Sequence, residues 1–281
     1  MSEHILQIKD LSVGYGESKV LQGLNLALEK GAVTAIIGPN ACGKSTLLRA
    51  MTRLLVPQTG QVLLEGVPIH TMAPRQLARR IGLLPQTPIA PEGISVLDLV
   101  SRGRHPHQGL FGRWRAEDDA AVAKALELTG TSHLAERMVG DLSGGQRQRV
   151  WIAMALTQQT DVLLLDEPTT YLDINHQIEV LDLLAELNRS RGTTIVMVLH
   201  ELNLAARYAD LLVAMRDGDI HAAGSAQDIL TEVMLSQVFG LTATVIPDPV
   251  SSNPMMIPRG RFAARGKGNE SARRTCLISS G

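Results

Sequence analysis

The stretch Gly38-Pro39-Asn40-Ala41-Cys42-Gly43-Lys44-Ser45-Thr46 constrains this chain more than any other. Its pattern, G-x-x-x-x-G-K-S, requires a strand before it and a helix after it. The sequence supplies both. Residues 32–37 form a short apolar, β-branched run that reads as a buried strand. Residues 45–53 carry Leu47, Leu48 and Met51 at helical spacing. The backbone N–H groups of such a loop wrap a phosphate, and the helix N-terminus adds partial positive charge. The pattern assigns Lys44 to the β- and γ-phosphates of a nucleotide and the Ser45 hydroxyl to Mg2+.

Composition narrows the partners. The chain has 281 residues, 44% hydrophobic and 20% charged, which suits one large globular domain or two small ones. Aromatic residues are 3% of the chain, a poor supply for base stacking, and a net charge of −1 sets up no field for nucleic acid. No nucleic-acid partner is expected. Charge is uneven: residues 259–281 carry +5, which leaves −6 for residues 1–258. That tail is rich in Gly, Arg and Ser and reads as disordered. A disulfide between Cys42 and Cys276 would block the loop, so reduced thiols and the cytosol are expected. Cys42 reads as filler at a variable loop position, not as a redox sensor. Residues 1–10 lack a basic region followed by an apolar core. The longest apolar runs, such as 162–165 and 195–199, fall far short of the ~20 residues that span a bilayer. The expectation is a soluble protein that meets a membrane only through a partner.

Taken in order, residues 3–37 read as short strands and turns, with a turn at 13–16. Strands follow at 61–64, 67–69 and 81–84, with a short helix at 74–80. Residues 87–158 read as a mainly helical insertion: a helix capped by Ser95, a loop at 103–112, a helix over 116–129 and a short helical segment at 132–138. A helix is expected at 147–157, a buried strand at 162–165, and a helix capped by Asp173. A strand at 193–199, a hairpin around residues 216–219 and two short helices within 226–239 complete the pattern. Alternating strands and helices argue for a parallel sheet with helices on its faces.

Three further sites carry chemistry. Asp166-Glu167 ends a buried strand, where open parallel sheets place ligands. Asp166 fits a magnesium role, and Glu167 beside it can orient or deprotonate an attacking water. His200 also ends a strand, at the sheet edge where it can reach a γ-phosphate. Leu142-Ser143-Gly144-Gly145-Gln146 opens a helix with glycines, a second anion site. One Lys-bearing loop does not need two phosphate sites, which hints that Ser143–Gln146 serves the nucleotide of another copy.

Together these motifs resemble the ATP-binding subunits of ATP-binding-cassette (ABC) transporters over residues 1 to about 258. The resemblance implies an α/β P-loop NTPase fold: a RecA-like parallel-sheet core, an antiparallel β subdomain and a helical subdomain inserted at about 87–158. It implies ATP and Mg2+ as ligands. Tyr15 matches the aromatic that stacks on adenine, and Gly38 to Thr46 the phosphate loop. Gln86 matches the glutamine that touches magnesium or the attacking water and couples to the membrane subunits. Asp166 and Ser45 match metal-binding positions, Glu167 the catalytic carboxylate and His200 the γ-phosphate switch. Asp173 falls in a loop that crosses the dimer interface, and Ser143, Gly144, Gly145 and Gln146 in the signature. Two such cassettes close head to tail, so that Ser143 and Gly145 of one cap ATP on Lys44 of the other. Ala41 departs from the family's usual glycine.

A finer resemblance lies in Arg102-Gly103-Arg104-His105-Pro106-His107-Gln108, Leu110-Phe111 and Arg113-Trp114. It extends to Pro168-Thr169-Thr170-Tyr171-Leu172-Asp173, His200-Glu201-Leu202-Asn203 and Asp248-Pro249-Val250. These look like ATPases of bacterial iron–siderophore importers of the ferric-enterobactin and ferric-dicitrate group; haem and cobalamin importers share many of the features. The resemblance implies a homodimer on the cytoplasmic face of an inner membrane, peripheral and bound to two permease subunits. A periplasmic siderophore-binding protein would act indirectly. A soluble cassette ATPase working on DNA or ribosomes is a rival reading, but those usually carry coiled-coil insertions or two cassettes. A small-molecule kinase is a weaker one, opposed by the signature and His200.

Overall fold

The computed structural model describes residues 4–16, 18–108, 113–170 and 172–260. Leu110, Phe111, Tyr171 and the tail from residue 261 on, Cys276 included, lie outside the described residues. The chain opens with β1 (His4–Tyr15) and β2 (Ser18–Glu29), then β3 (Val33–Ile37) and α1 (Lys44–Met51). Next come β4 (Thr59–Leu64), β5 (Val67–Pro68), α2 (Pro74–Ala78) and β6 (Ile81–Leu84). The helices α3 (Val96–Ser101), α4 (Ala116–Leu128) and α5 (Gly144–Thr157) follow. Then come β7 (Val162–Asp166), α6 (Ile174–Arg191), β8 (Thr194–Val198) and α7 (Leu202–Tyr208). The last elements are β9 (Leu211–Arg216), β10 (Asp219–Gly224), α8 (Ala226–Ile229), α9 (Glu232–Phe239), β11 (Ala243–Pro247) and β12 (Pro254–Pro258).

Six strands form the central sheet in the order β10-β9-β3-β8-β7-β6, parallel except for β10. Every residue of β3, β7 and β8 is buried, because both faces of the sheet are covered. Side-chain alternation splits the core in two. Ile36, Leu164, Val196 and Val213 face α1 and the antiparallel sheet β2-β1-β4-β5. Ala35, Leu163, Leu165, Ile195 and Met197 face the larger helical side, with α3, α4, α5 and α6.

Of the turn expected at 13–16, residues 13–15 are the end of β1, and the chain turns at Gly16, which takes φ 59°. Strands β1 and β2 form one long hairpin broken by register shifts between Ile8 and Leu11 and between Leu11 and Val13. Asp10 takes φ 48° at the first shift, and Asn25 braces it by accepting from Asp10 N at 3.1 Å and donating to Asp10 Oδ1 at 2.9 Å. Such bulges break the two-residue period, so one long strand reads as two short ones. The loop expected at 103–112 begins as a 3-10 turn over Arg102–His107.

That turn braces the helical region. Arg104 is 5% exposed and pairs with Asp118 at 2.7 Å. It also donates to Thr157 O and Gln159 Oε1, both at 3.0 Å. Arg75 and Arg79 donate to Pro106 O at 2.8 and 2.7 Å. A Cβ on Gly103 would lie 2.4 Å from Met154 O, so only glycine lets the turn lie against α5. Arg102–His107, which matched the importer subgroup, therefore ties α2, α4 and the end of α5 together.

Candidate active site

The phosphate loop leaves the middle of the sheet, from β3 between β8 and β9. Its fixed glycines are sterically required. A Cβ on Gly38 would lie 2.3 Å from Met215 O, and one on Gly43 2.6 Å from Leu21 Cδ2. Gly43 also holds φ 104° as the residue before α1. Ala41 sits at φ 62°, a left-handed conformation that costs a non-glycine residue roughly 1–2 kcal/mol. The departure at Ala41 is thus borne as backbone strain in the loop. Lys44 is buried, and its Nζ donates to Gly38 O at 2.9 Å and Pro39 O at 2.8 Å. This holds the ammonium over the loop. Cys42 is buried and its carbonyl accepts from Gly218 N at 3.1 Å. Burial pushes its thiol pKa up, against the pull of nearby Lys44, which disfavours a reactive thiolate. Tyr15 stands beside the loop, its hydroxyl accepting from Arg49 of α1 at 3.0 Å.

Strand register assembles the acidic side. Leu84 of β6 pairs with Leu165 of β7, and Asp166 of β7 with Val198 of β8. Gln86, Glu167 and His200 follow these paired residues by one or two positions, so they emerge side by side on three neighbouring strands. Ser45 Oγ donates to Asp166 Oδ1 at 3.1 Å. Burial raises the pKa of Asp166, Ser45 opposes the shift, and the charge of Glu167 adds to it.

Glu167 is 9% exposed and takes φ 55°. Both its oxygens are held. Gln86 Nε2 donates to Oε2 at 2.7 Å, Thr170 Oγ1 donates to Oε2 at 3.0 Å, and His200 Nε2 lies 2.6 Å from Oε1. Burial pushes its pKa up, but the hydrogen bonds from His200, Thr170 and Gln86 outweigh that and hold it below the usual range. With an ionised carboxylate as acceptor, His200 Nε2 carries the proton.

A cavity of about 240 Å3 opens over these groups. Asn40, Ala41, Lys44, Ser45, Gln86 and Glu167 are among its lining residues. Tyr15, Asp166 and His200 stand next to it through the contacts above. The Leu142–Gln146 segment does not line it. Ser143 is exposed, and it caps α5 reciprocally with Gln146: Gln146 N donates to Ser143 Oγ at 3.3 Å and Ser143 N to Gln146 Oε1 at 3.2 Å. This box starts α5 at Gly144, three residues before the expected helix. Asp173 caps α6, accepting from His176 N at 2.9 Å. The backbone and ring hydrogen bonds from His176 hold its carboxyl below the usual range. One amide joins the two regions: Gln148 Nε2 of α5 donates to Pro168 O, next to Glu167, at 2.9 Å.

Sequence reasoning gave no role to Thr170 or Arg49. Thr170 lies in the quoted Pro168-Thr169-Thr170 run, three residues after Glu167. Arg49 lies one helical turn after Ser45, but its contact to Tyr15 depends on how β1 and β2 fold over α1.

A family model described as ABC transporter matches residues 21–170. The chain is 51% identical over 265 residues to the ferric enterobactin transport ATP-binding protein of Escherichia coli strain K12, covering 94% of this chain and 98% of that protein. A metal-chelate type ABC transporter solved in an inward-facing conformation shares the fold with TM-score 0.79 and 31% identity, over 92% of this chain and 98% of that one. A bacterial ABC transporter cassette solved as a dimer gives TM-score 0.71 and 27% identity, over 78% of this chain and 98% of that one. The matched span contains the phosphate loop, Gln86, the Leu142–Gln146 segment and Asp166-Glu167, and the fold that carries them is the family's nucleotide-binding one. The chain therefore belongs to the ABC transporter family, as an ATP-hydrolysing cassette subunit.

Proposed function

We propose that this chain powers import of ferric siderophores across a bacterial inner membrane, as a head-to-tail pair of copies bound to two permease subunits on the cytoplasmic face. The observation that carries its hydrolytic part is the Glu167 carboxylate, fixed by Gln86, Thr170 and His200 beside the loop that presents Lys44. The relative named for ferric enterobactin and the metal-chelate transporter support the cargo class. A periplasmic siderophore-binding protein would supply that cargo indirectly.

In this reading Lys44 and the loop amides bind the ATP phosphates, and Tyr15 stacks on the base. Ser45 Oγ, Asp166 and Gln86 would hold Mg2+. Two adjacent oxygens on Ser45 and a buried carboxylate suit a cation that takes few protein ligands and completes its shell with phosphate and water. Such an ion would neutralise charge on the phosphates. Glu167 orients a water for in-line attack on the γ-phosphorus and accepts its proton. The His200 Nε2–H, held here by Glu167, is the donor offered to the γ-phosphate. Ser143 and Gly145, neither of which lines the cavity, cap the nucleotide of the second copy, with Asp173 at the interface between them. Gln86 passes closure to the permease.

Glu167→Gln keeps the shape and removes the base, so ATP turnover should fall by roughly 100-fold or more, with an ATP-bound dimer accumulating on a sizing column. Turnover at the normal rate would sink the assignment of Glu167. For cargo, the chain and its co-purifying permease in liposomes should take up a ferric siderophore. Uptake of cobalamin or haem in its place would move the chain to a sister group, and enrichment with ribosomes or DNA would remove it from transport.

A further inference from the structure

The family match ends at residue 170, yet the last strands of the described chain grip the helix that follows His200. Helix α7 has seven residues, too few to persist in water without tertiary support. Leu202, Ala205 and Ala206 bury one face in the core, and residues 248–256 hold the helix by hydrogen bonds. Asn203 Nδ2 donates to Met256 O at 3.1 Å, and Asn203 Oδ1 accepts from Met256 N at 2.7 Å. The side-chain amide thus mimics a strand's pairing and joins β12 to the helix. Arg207 places Nε and Nη2 on Asp248 Oδ2 at 3.2 and 2.6 Å. Asp248 is 5% exposed and also accepts from Val250 N and Ser251 Oγ. Asn253 Nδ2 donates to Ala206 O at 2.9 Å, one of the helix-end carbonyls without an intrahelical partner.

His200 needs this support. Its side chain is 40% exposed, and its ring meets Glu167 Oε1 at 2.6 Å. Upstream, Leu199 N is fixed on Ile36 O at 3.2 Å. Downstream the backbone runs through Glu201 directly into α7, so the helix sets where the histidine backbone stands. A displacement of about 1 Å would stretch the Glu167 contact beyond hydrogen-bonding distance.

We propose that Asn203, Arg207 and Asp248 are positioning residues for hydrolysis: the β11–β12 hairpin clamps α7 and thereby holds His200 Nε2 at Glu167. This rests on the reading of His200 as a contact to the reacting phosphate. Two stretches that matched the importer subgroup, His200-Glu201-Leu202-Asn203 and Asp248-Pro249-Val250, are then the two sides of one clamp.

The test uses the purified full chain carrying Asn203→Ala or Asp248→Asn, assayed for magnesium-ATP hydrolysis and for binding of a fluorescent ATP analogue. Histidine labelled with 15N reports on the ring of His200, its signal identified by its loss in His200→Ala. Each clamp variant should lower kcat by roughly 10–100-fold, leave KM and analogue binding within about two-fold, and shift the His200 Nε2 signal. Asn203→Ala deletes one pair of bonds and carries the test alone if Asp248→Asn does not fold. Unchanged kcat, or lowered kcat with the His200 signal unmoved, overturns the clamp. If His200→Ala turns over at the wild-type rate, the role of His200 itself is what fails, and the clamp falls with it.

Discussion

At the scale of single residues, the site is built at a cost to stability. Asp166 is a buried carboxylate that accepts from the neutral Ser45 hydroxyl at 3.1 Å, and Glu167 sits beside it. Burial raises its pKa in the folded chain above the unfolded value, so its ionised form disfavours folding. The sign follows: the penalty is full above the folded pKa and disappears as pH falls below the unfolded one. Asp166→Asn keeps an acceptor for Ser45 and removes the charge. In nucleotide-free protein it should raise Tm at pH 8, with the gain shrinking as the solution is acidified, while hydrolysis is lost. Equal Tm for both proteins at pH 8 would contradict this account. Glu167 has the opposite sign. Its pKa is lowered, so its contacts add stability above the unfolded pKa and lose it as pH falls through the folded one. Positive φ at Ala41 and Glu167 places two strained non-glycine residues at one cavity, where pre-organisation offsets their cost.

At the scale of elements, the brace at Arg102–His107 governs the helical region. Removing one member of a buried ion pair leaves the other uncompensated, at about 3–5 kcal/mol. Arg104→Met strands Asp118, so the variant should lose about that much in urea unfolding, whereas the double change Arg104→Met with Asp118→Leu should regain most of it. A single variant as stable as wild type would show the pair to be idle. The same scale shows what the sequence could reveal. Strands β3, β7 and β8 were legible because burial on both faces demands unbroken apolar runs, and those runs ended at the loop, at Asp166-Glu167 and at His200. Helix α7 was not legible, since much of its buried face is Ala205 and Ala206, which leave no marked apolar stripe. The β11–β12 hairpin was hidden by Pro247 and Pro254, residues that signal a loop but here pair with each other at the end of the ladder. The sequence placed Gln86 and His200 at neighbouring strand ends, because those apolar runs were readable, but gave neither a contact to Glu167. Thr170 was not placed at all, because a turn must fold back to bring it there.

At the scale of the whole molecule, no helix among the described residues is long and apolar enough to cross a membrane, and the proposed function gives the membrane path to two permease subunits. Ser143 does not line the cavity of its own chain, and the proposed function has it complete the site of a second copy. The Gln148 amide then matters beyond its local bond. It ties the helix that would cap one nucleotide to the backbone beside the carboxylate that would orient the attacking water at the other. Occupancy of each site becomes information available to its twin. Gln148→Ala should lower the Hill coefficient for ATP in steady-state hydrolysis towards one, and an unchanged coefficient would show that the signal runs elsewhere. If the proposed pair is wired in this way, it would count its nucleotides in twos and leave a lone one unhydrolysed.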